Sequence, residues 1–316
     1  MDLRQLRYFI AVARERNFTR AAEKLHIAQP PLSRQIQLLE EELGVTLISR
    51  ASRPLRLTDA GKLFLEQALQ ILGRVEQMKV ATQRVGHQQR RVFSIGFVAS
   101  TLYGGVPALV RELRKHAPEL DIQLVELMSV QQIEALKTGR IDIGFGRIRR
   151  NDAAVERTVL REERLVLAVA PGSRLADSDA PVAIAELAGE DLIVYPKGQR
   201  PSFADQVLAL LEDHGVRPGS VQEVSEMQIA LGLTAAATGI CVVPYTASLH
   251  RMDLHYRVIN EEHATSPIIL SHRRDDNSPY IVLIKQLVQE LYAASPPWLG
   301  LAYNTVHGQR AGETRS

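Results

Sequence analysis

Apolar positions recur at helical spacing through the first 85 residues and gather into short strand-like runs after residue 91. Leu3, Leu6, Phe9, Ile10 and Ala13 mark an amphipathic helix ending near Asn17, and Thr19 is placed to cap a second, "TRAAEKL". A third follows in "IAQPPLSRQIQLLEEELG", where Leu32, Ile36, Leu39 and Leu43 form the apolar stripe. Its two prolines mark a helix start, because a first-turn N–H has no intrahelical partner to lose. Thr58 is placed to cap a long helix running to about Val85, with Phe64, Ala68, Ile71, Val75, Met78, Thr82 and Val85 as a heptad seam that predicts pairing with a second copy. "GHQQRR" (residues 86–91) then reads as a hinge.

From Val92 onward strands alternate with helices. "VFSIGFV", a helix around "VPALVRELRKHAP", "DIQLVEL", a helix through "QQIEALKTG" and "IDIGFG" form a first set. "RLVLAVA", "DLIVY", the helix "SFADQVLALLEDHG", "VQEVSE", the helix "MQIALGLTAAATG" and "ICVVP" form a second. The chain then returns to the first set through "SPIILSHR" and a helix near "YIVLIKQLVQELYAA". Such βαβ repeats predict parallel sheets and, with the return, two α/β lobes crossed twice by the chain.

Charge changes the picture at the amino terminus. Residues 1–58 carry ten Lys/Arg against six Asp/Glu, while the whole chain of 316 residues has a net charge of only +2. A small basic head on a slightly acidic body fits a polyanion-binding module. Three short helices followed by "TLISRASRPLRLT", whose extended halves flank residues 52–54, resemble a winged helix-turn-helix. The exposed face of the third helix is polar beyond anything core packing requires. Arg34 can fork onto guanine; Gln29, Ser33, Gln35 and Gln37 can reach bases or phosphates; Arg50 and Arg53 in the wing would meet the backbone or minor groove.

Other chemistry is sparse. Nine histidines and one cysteine show no metal-ligand spacing, and there is neither a phosphate-cradling glycine loop nor a GxSxG elbow. The expectation is therefore a protein that is not an enzyme, with no cofactor and no metal. Cys241, in "GICVVPY", reads as a small core residue. No apolar run reaches the ~18 residues of a membrane span and the start has no export signal, predicting a cytoplasmic protein with no membrane partner.

"FTRAAEKLHIAQPPLSRQIQLLEEELGVTLISR" closely resembles the signature of the LysR-type transcriptional regulators, the match running from Leu3 to Gly61. Ile48 departs from it, since a phenylalanine is usual there; repacking under the wing is expected. "FVASTLYGGVP", "IDIGFGR", "RPSF" and "MQIALGLTAAATGICVVP" further resemble the branch controlling degradation of aromatic compounds, of the catechol, benzoate and chlorocatechol type. The resemblance implies an α+β multidomain protein: winged helix-turn-helix at 1–58, linker helix and hinge at 59–90, and a two-lobed periplasmic-binding-protein-like effector domain at 91–294. Its lobes would be 91–162 with 267–294, and 163–266, leaving a tail at 295–316. It also implies Thr19, Gln29, Pro30, Pro31, Ser33, Arg34, Gln35, Gln37, Arg50 and Arg53 at the DNA. The implied partners are double-stranded DNA bearing an interrupted inverted repeat, a small carboxylate such as muconate or benzoate, further copies in a dimer or tetramer, and RNA polymerase.

In open parallel sheets ligands gather at the carboxyl ends of strands, where helix amino termini present free N–H groups. Ser100 and Thr101, Ser129, and Arg147 occupy such positions, so hydroxyls and one arginine describe a carboxylate site. Carried over from the family, the effector residues are Ser100, Thr101, Ser129, Arg147 and Phe203, with Leu102 and Ile269 as apolar walls. Met128–Ser129 stands where relatives often show a small residue and threonine, which bears on pocket volume. Arg161 and Glu163, two apart on a strand, share a face and read as a structural ion pair.

Overall fold

The computed structural model describes residues 1–50, 54–86, 90–198, 200–249 and 251–294. Arg53, the middle of the expected hinge, the side chain of Val85 and the 295–316 tail lie outside the described residues. Residues Met1–Arg91 with Lys137–Arg140 pack as one unit, and Val92–Leu136 with Ile141 onward as a second.

In the first unit α1 (Leu3–Glu15) starts at a capping box, Asp2 accepting from the Gln5 amide at 2.8 Å while Gln5 accepts from the Asp2 amide at 3.0 Å. α2 (Phe18–Leu25) is capped by Asn17, whose Oδ1 takes the amides of Thr19 and Arg20. Thr19 is thus a donor inside the first turn and not the cap, because the asparagine two positions earlier reaches the same orphan N–H groups. His26, at φ 54°, ends α2 and turns the chain into α3 (Gln29–Leu43), which opens on its two prolines with no side-chain cap. Ala21 and Ala22 are buried and let α2 approach α1 and α3 closely; Leu32, Ile36 and Leu39 close the core, while Leu43 is exposed. β1 (Ile48–Ser49) and β2 (Arg56–Leu57) pair antiparallel as the wing, with Ile48 buried beneath it.

The long helix α4 (Asp59–Gly86) begins where Thr58 Oγ1 accepts the Gly61 amide and donates to Thr46 O at 2.7 Å. The expected seam divides. Phe64 stacks edge-on against Phe9 at 5.0 Å and Ala68 is buried against Leu6 and Ile10, so these two positions serve the chain's own α1. Ile71 and Met78 stay exposed about 40–60° around the helix from the middle of that buried face, and Leu63, also exposed, lies about 120° around.

The second unit is built on β3 (Arg91–Phe97), α5 (Val106–His116), β4 (Leu120–Glu126), α6 (Ser129–Lys137), β5 (Ile143–Gly146), β6 (Val155–Val169), β7 (Asp191–Val194), α7 (Phe203–Asp213), β8 (Ser220–Glu223), α8 (Met227–Ala235), β9 (Ile240–Pro244), β10 (His255–Val258), β11 (Thr265–Arg273) and α9 (Pro279–Ala293). The strand order is β4-β3-β5-β11-β6-β9-β7-β8, with β10 on the far half of β6. β3 and β5, and β7 with β8 and β9, run parallel. The sheet is nonetheless mixed and not parallel throughout. β6 and β11 carry the chain between lobes in opposite senses, so they pair antiparallel with each other and β11 antiparallel with β5. Their register shifts between Ile268 and Ile269, a bulge at the crossing. One lobe packs Phe93, Ile95, Leu109, Leu113 and Phe145 against Ile284 and Leu287 of α9. The other encloses Leu167, Val194, Val207, Leu231 and Val242.

Candidate functional site

A cleft of about 460 Å³ opens between the two lobes. Three helices begin at it: α6 at Ser129, α7 at Phe203 and α8 at Met227. Unsatisfied N–H groups of first turns and the aligned peptide dipoles give such ends a positive field. Met128, Ile148, Pro196, Pro201 and Met227 make the walls apolar, joined by Tyr195 and Phe203, whose rings lie 5.2 Å apart.

Arg147 forms the polar end. It follows β5, whose Gly144 and Gly146 lie close under α6: a Cβ on Gly144 would sit 2.5 Å from Gln132 Oε1, and one on Gly146 3.0 Å from Ser129 Oγ, so either would displace that side chain. That close approach lets Gln132 donate to Leu127 O and Phe145 O, both at 3.0 Å, and lets Ser129 Oγ accept the Arg147 amide at 2.9 Å. The Arg147 guanidinium is only 3% exposed. Its Nε donates to Ser100 Oγ at 2.7 Å and its Nη2 to Glu163 Oε2 at 2.7 Å, while Nη1 is buried with no acceptor among the described residues. The Tyr195 hydroxyl is likewise buried without a partner there, and burial pushes its phenol well above the ordinary value, so it stays a neutral donor.

Behind Arg147, Glu163 is fully buried on β6 at the lobe crossing. Oε2 also faces Arg161 Nη2 at 3.5 Å, and Oε1 accepts from Thr246 N at 2.7 Å and from the Thr246 hydroxyl. Burial alone would raise its pKa, but Arg147, Arg161 and Thr246 together hold the carboxyl below its ordinary range. Arg161 and Glu163 do face one another as their spacing predicts, and Arg147 joins them. A second link crosses the cleft: Gln228 at the start of α8 donates to the Tyr103 hydroxyl.

Ser100, Ser129, Arg147 and Phe203 therefore meet at the cleft. Three other expected effector positions do not. Thr101 is fully buried, its hydroxyl turned back to Val98 O at 2.8 Å; Leu102 packs on the core of its own lobe; Ile269 is buried in β11, paired opposite Gly146. Each is drawn inward by the short 3₁₀ turn Ala99–Tyr103 or by sheet pairing. Sequence reading missed Gln132, Tyr195, Met227 and Thr246. Only the paired glycines of "IGFG" hinted at the first, as a place where another group comes close to the backbone.

At the head, α3 exposes Gln29, Pro30, Pro31, Arg34 and Gln37, with Ser33 and Gln35 half-buried. Arg34 has no ion-pair partner among the described residues, which leaves its guanidinium available to a base edge. Thr19 is exposed in the first turn of α2. Arg50, expected at the DNA, is exposed and donates from Nη2 to Glu40 of α3 at 3.0 Å. Among the described residues no group of three or more His, Cys, Asp or Glu side chains is placed to hold a metal, and no helix is long and apolar enough to cross a membrane. Burial pushes the Cys241 thiol far above its ordinary range.

A helix-turn-helix head joined to a two-lobed, cleft-bearing body defines a DNA-binding regulator with a small-molecule domain. The chain belongs to the LysR family: the bacterial regulatory helix-turn-helix protein, lysR family, matches residues 3–62, and the LysR substrate binding domain residues 86–293. It is 64% identical over 299 residues to the Probable cat1 operon transcriptional activator of Acinetobacter lwoffii, covering 95% of this chain and 99% of that one. To the HTH-type transcriptional regulator BenM of Acinetobacter baylyi it is 43% identical, covering 93% and 97%. The solved BenM effector binding domain with its effector benzoate matches at a TM-score of 0.61 and 36% identity, over 66% of this chain and 94% of that one.

Proposed function

We propose that this LysR-type regulator controls genes for the degradation of aromatic compounds in response to a small carboxylate such as muconate or benzoate held in the cleft. The observation that carries the reading is Arg147, bound to Ser100 and Ser129 at the foot of an apolar, aromatic-walled cleft where three helices begin. Ser100 and Ser129 orient the guanidinium and the carboxylate; Phe203 and Tyr195 flank the flat body of the ligand. At the head, α3 enters the major groove with Gln29, Pro30, Pro31, Ser33, Arg34, Gln35 and Gln37 nearest the bases, and Thr19 and Arg53 beside the backbone. The exposed Leu63, Ile71 and Met78 on α4 support pairing with a second copy, and dimers of dimers on an interrupted inverted repeat follow from two-fold pairing. The complex acts on RNA polymerase in the cytoplasm.

A thermal-shift panel of muconate, benzoate, catechol and a saturated aliphatic acid tests the cleft. We expect the unsaturated and aromatic acids to raise the unfolding temperature, catechol not to, and Arg147→Ala to remove the shift while duplex binding is retained. A shift of equal size in Arg147→Ala moves the ligand elsewhere.

A further inference from the structure

Arg50 was expected at the DNA backbone, yet the head places it in a junction of its own. Glu40, on the inner side of α3, is a half-buried carboxylate with three donors. Its Oε1 accepts the amide of Leu47 at 2.8 Å and that of Ile48 at 3.0 Å, the residues that lead into and open wing strand β1. Its Oε2 accepts Arg50 Nη2 at 3.0 Å. The Arg50 guanidinium also lies 5.9 Å from the ring centre of Phe18, the first residue of α2. One carboxylate and one guanidinium thus touch all three elements that a helix-turn-helix head presents to a duplex: the start of α2, the body of α3 and the root of the wing. The Glu40 side chain is 13% exposed and that of Arg50 40%, so the pair is shielded on the carboxylate side and charge-assisted.

We propose that Glu40 and Arg50 form a clamp that fixes the wing at a set angle to the reading helix α3, which makes Arg50 a positioning residue for sequence recognition and not a phosphate contact. The inference rests on the head reading DNA. A β1 strand two residues long has too few ladder bonds to hold its own direction, so the two amides on Glu40 set its origin and Arg50 sets the far side. A duplex read at once by α3 and by the wing requires both at a fixed separation, because phosphate contacts position and base contacts specify.

The test uses the full-length chain and a duplex that this chain enriches from a random pool, against a scrambled duplex of equal length and composition. Binding to each is measured across a series of KCl concentrations. A phosphate contact contributes about one unit to the slope of log affinity against log salt, whereas an internal clamp contributes none. For Arg50→Ala we expect an unchanged slope and a preference for the enriched duplex reduced about tenfold, the discrimination carried by a single base pair. Glu40→Gln keeps an oxygen for the two amides but removes the charge that holds Arg50, and should show the same loss. The double variant should be no worse than either single one, as for two halves of one device. A slope lower by about one in Arg50→Ala, with equal weakening on both duplexes, overturns the clamp. So does a Glu40→Gln chain that binds as well as the unmodified one. Should Glu40→Gln fail to fold, the slope of Arg50→Ala decides alone. An unmodified chain that enriches no sequence sinks the DNA-reading head itself, and is told apart from failure of the clamp because the variants are not needed to see it.

Discussion

Glu163 shows what one buried charge can do when its partners come from distant parts of the chain. Arg147 lies 16 residues before it and Thr246 83 residues after it, so a single carboxylate ties the floor of the cleft in one lobe to the turn after β9 in the other. Replacing it by glutamine leaves two buried guanidinium groups facing a neutral amide. Removing one member of such a pair costs about 3–5 kcal/mol. For a unit of this size that corresponds to a fall of roughly 6–20 °C in the effector-unit transition by calorimetry. Its pKa is held low in the folded state, so its stabilising contribution is complete above the ordinary carboxylate value of about 4.3 and is lost as pH falls through the lower folded-state value. The gap between unmodified and Glu163→Gln chains should therefore be constant from pH 7 to 5 and shrink only below about pH 4. A gap that already closes at pH 6 would mean that the carboxyl is not held ionised by its arginines.

At the scale of elements, periodicity identified nearly every helix and strand, because amphipathic faces and short apolar runs are local signals. It was blind to partners. The seam on α4 looked continuous, yet Phe64 and Ala68 are claimed by α1, which no spacing within α4 reveals. The first half of β6, "VERTVLRE", alternates too weakly to read as a strand and is held there by pairing with β11. In the cleft, Ser100, Ser129 and Arg147 were legible as polar groups at strand ends, whereas Tyr195 and Met227 were not, because lobe-to-lobe placement depends on the two crossings. Gly61 makes an element-scale prediction. It sits in the first turn of α4 where a Cβ would lie 2.0 Å from the carbonyl oxygen of Leu47, at the root of the wing. A backbone atom cannot step aside as a side chain does, so Gly61→Ala must displace either α4 or β1. We expect a loss of about 1–3 kcal/mol in the head, as for other overpacking changes, and weakened duplex binding, with the effector-induced thermal shift preserved. Wild-type duplex affinity in Gly61→Ala would show that the seat between helix and wing is slack.

For the whole molecule, effector and DNA are read by separate units, and any response must pass between them as a coupling free energy. Such coupling is reciprocal: an effector that changes duplex affinity by some factor must itself bind the duplex complex with an affinity changed by the same factor. It can shift the population only through unequal affinity for the two arrangements, however tightly it binds. The cleft between the lobes is the place for that inequality. Gln228–Tyr103 links the lobes across the cleft and Glu163 ties Arg147 to Thr246, so the proposed effector, set against the Arg147 Nη1 and the Tyr195 hydroxyl, would favour whichever arrangement of the lobes keeps both groups within its reach. We expect titration calorimetry of the acid that gives the largest thermal shift to yield a dissociation constant at least about fivefold different with the enriched duplex present, matched by an equal change in duplex affinity at saturating acid. Arg147→Ala should bring both factors to one together. Factors that are already one in the unmodified chain would mean that the acid leaves affinity untouched and acts, if at all, on the shape of the bound DNA.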